Sequence, residues 1–334
     1  MGPSLNMLSP VDLGIILTYR CRSRCKHCLY ACGPGWEETM SLDLVREAVA
    51  ATEFWTHPFR IHLTGGEPFL NFDLLLAAAE IVAARGVPQF VETNASFCLD
   101  AQDTANKFAA LKQAGVGSIL ISCSPFQSET IPLNRVAVAT RAAFDVFGER
   151  NVTIYLPHCI DQIRAFSTDQ PVPLEAYIER YGEKKAGEMF WDQYGLIGGG
   201  RASYRLGHLT QRFPAEAFQG ENCAAEILFP HHSHFDPYGN HISWFCGGLT
   251  IGSWRDLRES TEDFQNGQFP ALIRILVARG PYAMFKFAEN QYGYRERNDG
   301  YTTKCHLCVD VRKHLLPTTK FPELTPAKFY DMLY

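Results

Sequence analysis

Basic excess is missing from this 334-residue chain: 31 Lys and Arg stand against 36 Asp and Glu, for a formal net charge of −5. That excludes the positive footprint that nucleic acid or an anionic membrane surface would require. The opening MGPSLNMLSPVDLG lacks the basic start and the unbroken apolar run of a signal peptide. Asn6 stands where a myristoylation motif beginning at Gly2 wants Ser or Thr. No run approaches the roughly 20 apolar residues of a membrane span. LLLAAAEIVAA and ALIRILVA are short and bounded by charge or glycine. Repeats and low-complexity tracts are also lacking. With no export signal, the chain reads as cytoplasmic, and it is long enough to bury a core without disulfide staples.

Cysteine, by contrast, is plentiful at eleven residues. In a chain without an export signal this points to metal or redox chemistry rather than disulfides. Seven of the eleven fall in two groups: Cys21, Cys25 and Cys28 near the start, and Cys223, Cys246, Cys305 and Cys308 near the end.

Between them the chain alternates β-branched runs with helical patterns. Strands are expected at 13–20, 60–66, 89–95, 117–124 and 151–158, with a short sixth around 194–200. Helices are expected at 41–55, with Ser41 as N-cap, and at 72–86, 101–115, 134–148 and 173–195. This alternation predicts a parallel sheet with helices outside it. Six units are too few for a closed eight-stranded barrel, and they suit a partial barrel or a doubly wound sheet. In either, ligands gather at the carboxyl ends of the strands. The unusual segments lie there: the three-cysteine loop after strand 1, GGEP after strand 2, ETNA after strand 3, SCSP after strand 4, LPHC after strand 5 and GGGR after strand 6. After about residue 205 the pattern changes to a hairpin at 231–245, turning at Asp236-Pro-Tyr-Gly-Asn240, and then to aromatic-rich sequence.

The loop CRSRCKHC at 21–28 has C-x3-C-x2-C spacing. Three thiolates on a cubane cluster leave one iron open, and an open position separates a reactive metal site from a structural one. A zinc knuckle closed by His27 or Cys32 is the plainer alternative. The four later cysteines, spaced C-x22-C and C-x2-C, can close either one cluster or one zinc site.

With LTGGEP at 63–68 added, the chain resembles the radical S-adenosylmethionine (SAM) superfamily over roughly residues 13 to 205. The resemblance implies a [4Fe-4S] cluster on Cys21, Cys25 and Cys28 with SAM on the fourth iron. One-electron cleavage of SAM would then yield a 5′-deoxyadenosyl radical that abstracts a substrate hydrogen, with flavodoxin or ferredoxin as a suitable electron donor. Gly65 and Gly66 would let SAM approach the backbone, and Glu67 would orient that loop. Thr93, Asn94 and Ser122 match positions near the ribose, and Arg135 matches an arginine that pairs with the SAM carboxylate. Arg22, Arg24 and Lys26 are expected to offset the cluster's negative charge.

The hairpin before Cys246 resembles twitch and SPASM regions. With four cysteines rather than about seven, it fits the shorter twitch arrangement with one auxiliary [4Fe-4S] cluster. In a variant reading, Cys223 is not a ligand but a hydrogen-donating thiol. Four histidines, His231, His232, His234 and His241, invite a metal reading; His232 and His234 share a strand face, but surface hairpin histidines are the plainer expectation. Cys159, His158, Arg201 and Tyr204 are candidates to line the site.

The expected architecture is therefore an α/β partial (β/α)6 TIM-like barrel at 1–205, followed by a small α+β auxiliary-cluster domain at 206–334. The expected activity is radical modification of a peptide by oxidation, cross-linking or epimerisation. The competing substrate class is a small molecule such as an amino sugar or alcohol. A non-catalytic zinc or Fe-S interaction protein is the rival from another class. Twelve residues precede the first expected strand, which weakens the case for a fused leader-peptide-binding domain.

Overall fold

The computed structural model describes residues 9–229 and 231–334. The N-terminal residues read for targeting, Gly2 and Asn6 among them, lie outside the described residues. Every residue of β1 (Asp12–Thr18) is buried, as a central parallel strand covered on both faces must be. Around it run β2 (Arg60–Gly65), β3 (Gln89–Thr93), β4 (Ser118–Ser122) and β5 (Val152–Tyr155), all parallel. Three further strands, β6 (His232–Phe235), β7 (Asn240–Ser243) and β8 (Gly252–Ser253), complete one eight-stranded sheet in the order β5-β4-β3-β2-β1-β6-β7-β8. Helices α1 (Leu42–Ala50), α2 (Phe72–Ala84) and α3 (Ala101–Gln113) form the first crossovers, and α4 (Pro125–Ser128) with α5 (Leu133–Phe147) forms the fourth. Ser41 caps α1 by accepting a hydrogen bond from Leu44 N. The result is an open, parallel-dominated α/β sheet.

Two expectations are corrected. No strand forms around 194–200. Met189–Gln193 is a π-helical turn, and Gly195 and Gly200 both adopt positive φ, which ends regular structure there. The sixth parallel strand is instead β6, which pairs with β1 on the opposite edge from β2. The single helical stretch at 173–195 is also broken, into Leu174–Tyr181 and Glu183–Glu188, by Gly182 at φ 79°.

The sheet takes strands from both sides of residue 205, while the apolar core divides in two. One core packs the crossover helices on β1 to β4. The other gathers Leu272, Ile273, Leu276, Met284, Leu307 and Val311, from helices Ala271–Tyr292 and Lys304–Leu315. The Asp236 carboxylate ties the hairpin turn to the end of β1. It accepts from Tyr19 Oη at 2.8 Å, Asn240 N at 2.9 Å and Tyr238 N at 3.0 Å. Among the described residues no helix is long and apolar enough to cross a membrane.

Register explains one glycine. Gly14 on β1 sits opposite His62 on β2 and His234 on β6. A Cβ on Gly14 would fall 2.6 Å from His62 Nε2 and 2.7 Å from His234 Nε2. Gly14→Ala should therefore destabilise the fold by about 1–3 kcal/mol through overpacking. Urea unfolding midpoints test this; an unchanged midpoint would contradict the packing described.

Candidate functional site

The carboxyl ends of β1, β2 and β3 meet around one buried carboxylate. Glu67 accepts from Phe69 N at 3.2 Å, Thr93 Oγ1 at 2.9 Å and Asn94 N at 2.8 Å. It thereby joins the GGEP loop to the ETNA loop. The preceding glycines allow that loop to lie against the start of the cysteine loop. Gly66 N donates to Thr18 O at 2.7 Å and Glu67 N to Arg20 O at 3.0 Å, and a Cβ on Gly66 would come 2.8 Å from Tyr19 O. The Thr93 hydroxyl is engaged by Glu67 rather than left open. Asn94 Nδ2 points at the first thiol, 3.3 Å from Cys21 Sγ. Ser122 ends β4 half-buried, and Arg135 Nη1 donates to Ser96 O at 2.9 Å, just beyond ETNA.

The three cysteines share one interior space. Burial pushes Cys21 up to about 12, helped by Glu67, and it raises Cys25 well above the usual thiol range. Cys28 is drawn down to about 6, first by its hydrogen bond with the Cys32 thiol, then by Arg201 against the cost of burial. His27 stacks on Phe126 with ring centroids 4.6 Å apart, and burial lowers it to about 4, so it is neutral at pH 7. As free thiols, Cys21 and Cys25 would stay protonated at neutral pH. A bound cationic iron centre would hold them as thiolates.

Two of the three cations within the loop are engaged elsewhere. Lys26 pairs with Glu129 at 2.6 Å and Glu175 at 3.1 Å, and Arg24 donates to the Tyr334 carbonyl. Arg201 enters instead. It is 1% exposed, and its guanidinium donates to Met332 O at 2.8 Å, to Cys25 O at 3.0 Å and to Cys32 O. Among the described residues no carboxylate lies in ion-pair range of it. A buried guanidinium held only by neutral carbonyls favours a nearby anion, and a thiolate-bound cluster fits that need.

The second cysteine group has the same construction. Cys223 precedes the short helix Ala224–Leu228, Cys246 follows β7, and Cys305 and Cys308 sit in the first turns of Lys304–Leu315, which Thr303 caps. Every pair among the four thiols interacts electrostatically: Cys223 with the other three, Cys246 with Cys305 and Cys308, and Cys305 with Cys308. Burial is the main cause that pushes Cys246 and Cys305 up to about 12 and Cys223 higher still. Arg312, 2% exposed, lies one helical turn beyond Cys308 and donates to Gly247 O at 3.1 Å and Tyr330 Oη at 3.2 Å. Its sequence spacing from Cys308 was a usable signal that the sequence reading passed over.

Other candidates move elsewhere. Cys159 is fully buried in the first core near Cys123 and Tyr194, not at the rim. Tyr204 faces Asp310 and His306. Of the hairpin histidines, His231 is exposed and His232 half-buried, whereas His234 and His241 are not surface residues. His234 is 3% and His241 2% exposed, because β6 is an interior strand of the sheet. Burial holds His234 well below the usual imidazole range. His62, unremarked in the sequence, stands across from them.

Residues 15–140 match the family model described as the radical SAM superfamily. This segment of the chain belongs to that superfamily. A GTP 3′,8-cyclase of Moorella thermoacetica is 31% identical over 107 residues, covering 31% of this chain and 33% of that protein. The chain thus spans about a third of the length of this curated relative. The solved structure of anSMEcpe with bound AdoMet and Cp18Cys peptide covers 92% of this chain at 11% identity and a TM-score of 0.34. Streptococcus suis SuiB bound to precursor peptide SuiA covers 81% at 12% identity and a TM-score of 0.33.

Burial lifts Glu67 from 4.5 to about 7 against the pull of its three donors. The folded chain then holds a proton that the unfolded chain has released, so this group's contribution to stability falls as pH rises from about 4.5 to about 7. Glu67→Gln should flatten that fall when urea unfolding of the metal-free chain is compared at pH 5 and pH 7.5. An unchanged pH dependence would contradict the burial argument.

Proposed function

We propose that this chain is a radical SAM enzyme with two [4Fe-4S] clusters that modifies a peptide substrate. Cys21, Cys25 and Cys28 would hold the first cluster, beside which SAM would bind. Cys223, Cys246, Cys305 and Cys308 hold the second. The observation that carries the reading is the repeated pairing of a buried thiol set with a buried arginine that has no carboxylate partner among the described residues. When bound and reduced by one electron, the first cluster and SAM supply the 5′-deoxyadenosyl radical that takes a substrate hydrogen. A carrier such as flavodoxin or ferredoxin is the matching electron donor.

The chain's own residues set the stage for that chemistry. Asn94 Nδ2 directs a hydrogen bond at Cys21 Sγ, which favours the thiolate. Arg201 fixes the loop through the Cys25 and Cys32 carbonyls and places its charge beside Cys28. Glu67 holds the two loops on which Gly65, Gly66, Thr93 and Asn94 sit. Ser122 and Arg135 stand at the rim as contacts for the ribose and the carboxylate of SAM. The mutual proximity of Cys223 to the other three late thiols supports its role as a ligand over that of a hydrogen donor. The peptide substrate rests on the likeness of the late cysteine region to twitch and SPASM regions. The GTP in the relative's name is not carried over, since the match covers a third of that protein.

Reconstituted protein given dithionite and SAM should release 5′-deoxyadenosine, and Cys25→Ala should lower that rate by at least about 100-fold. Equal rates would contradict the assignment. Cys223→Ala should lose about half of the bound iron. Full iron retention with loss of peptide product would instead make Cys223 the hydrogen donor.

A further inference from the structure

Three histidines converge inside the sheet, apart from both cysteine groups and unused by the reading above. His62 on β2, and His232 and His234 on β6, bring one ligand-capable nitrogen each to within 4.8 Å of one another. His232 Nε2 and His234 Nε2 are 3.1 Å apart. Gly14, between the two strands, supplies the space they occupy.

The outward nitrogens fix how the rings are protonated. His62 Nδ1 lies 2.7 Å from Asp12 Oδ1, and a carboxylate can only accept, so His62 carries its proton on Nδ1. Tyr30 Oη donates to Trp244 O at 3.2 Å and lies 2.7 Å from His234 Nδ1, so the tyrosine oxygen accepts a hydrogen bond from the His234 Nδ1–H. His232 Nδ1 faces Asp12 Oδ2 at 3.9 Å, which draws its proton to the same side. Asp12 is itself held by Arg60 at 2.7 Å. Each ring therefore turns an unprotonated Nε2 inward. His62 Nε2 is buried and has no hydrogen-bond partner. Three inward lone pairs at this spacing repel one another unless a shared proton or a metal ion lies between them.

We propose that His62, His232 and His234 bind one divalent first-row metal ion, with Zn2+ as the fitting species. Zinc–imidazole bonds of about 2.0–2.1 Å place tetrahedral ligand atoms about 3.4 Å apart, close to the observed separation of His232 and His234. Asp12 and Tyr30 occupy the outer positions that orient metal-bound imidazoles. Glu92 brings a carboxylate oxygen to 3.9 Å from His62 Nε2 while its other oxygen accepts from Thr64 at 2.7 Å; the three imidazoles are the protein ligands, and water completes the coordination. This site does not depend on the clusters being present.

The test is metal analysis of the iron-loaded protein after exposure to equimolar Zn2+ and removal of free ion, with X-ray absorption at the zinc edge. The expected result is about one zinc per chain, with a nitrogen and oxygen shell at about 2.0–2.1 Å and imidazole outer-shell scattering. His62→Gln and His232→Gln should each reduce zinc at least about fivefold while leaving iron unchanged. No retained zinc would overturn the proposal and leave a proton shared by His232 and His234. A sulfur shell at about 2.3 Å would overturn it by placing the zinc on cysteines. If a variant folds poorly, the spectrum of the unmodified protein decides alone.

Discussion

Arg201 carries a positive charge into the interior, and its side-chain hydrogen bonds end on neutral carbonyls of the cysteine loop and the C-terminal segment. Burying an ion this way is costly unless an opposite charge lies near. The three thiols around it are the available source of that charge, because among the described residues no carboxylate pairs with it. One guanidinium thus links residues 25, 32, 201 and 332, and it holds the cysteine loop against the far end of the chain. Arg312 repeats the arrangement at the second thiol group, where a carbonyl and a phenol hold it beside Cys246 and Cys308.

Glu67 answers the same constraint with the opposite sign. It is fully buried, and two backbone amides and a hydroxyl surround it in place of a cation. Those bonds hold GGEP and ETNA in register at the strand ends, where a ligand would meet both. Deeper along the same strands, the imidazoles of His62 and His234 fill the space that Gly14 leaves. Buried polar groups therefore line this sheet from Asp12 to Asn94, and specific hydrogen bonds hold Asp12, Glu67 and Asn94.

Much of this was legible in the sequence where the signal is local. The five crossover strands follow from β-branched runs between glycine-closed helices, and Ser41 declares its own cap. The thiol loop and GGEP are contiguous motifs. The rest depends on long-range pairing. HHSHF has the polar composition of a surface hairpin, and only its parallel pairing with β1 turns His234 inward. Gly195 and Gly200 were read with a strand that they in fact prevent. Lys26 lies closest in sequence to the thiols, yet Glu129 and Glu175, over a hundred residues away, capture it. Arg201 comes from equally far along the chain to replace it. Cys159 follows a strand end, but the first turn of its helix faces the core.

Iron content per chain tests the central claim most directly, because each arginine-lined thiol set should stabilise one cubane. Anaerobic reconstitution should give about eight irons per chain, with Mössbauer parameters of [4Fe-4S] clusters throughout. About four irons per chain, with Cys305 and Cys308 recovered as free thiols, would contradict it.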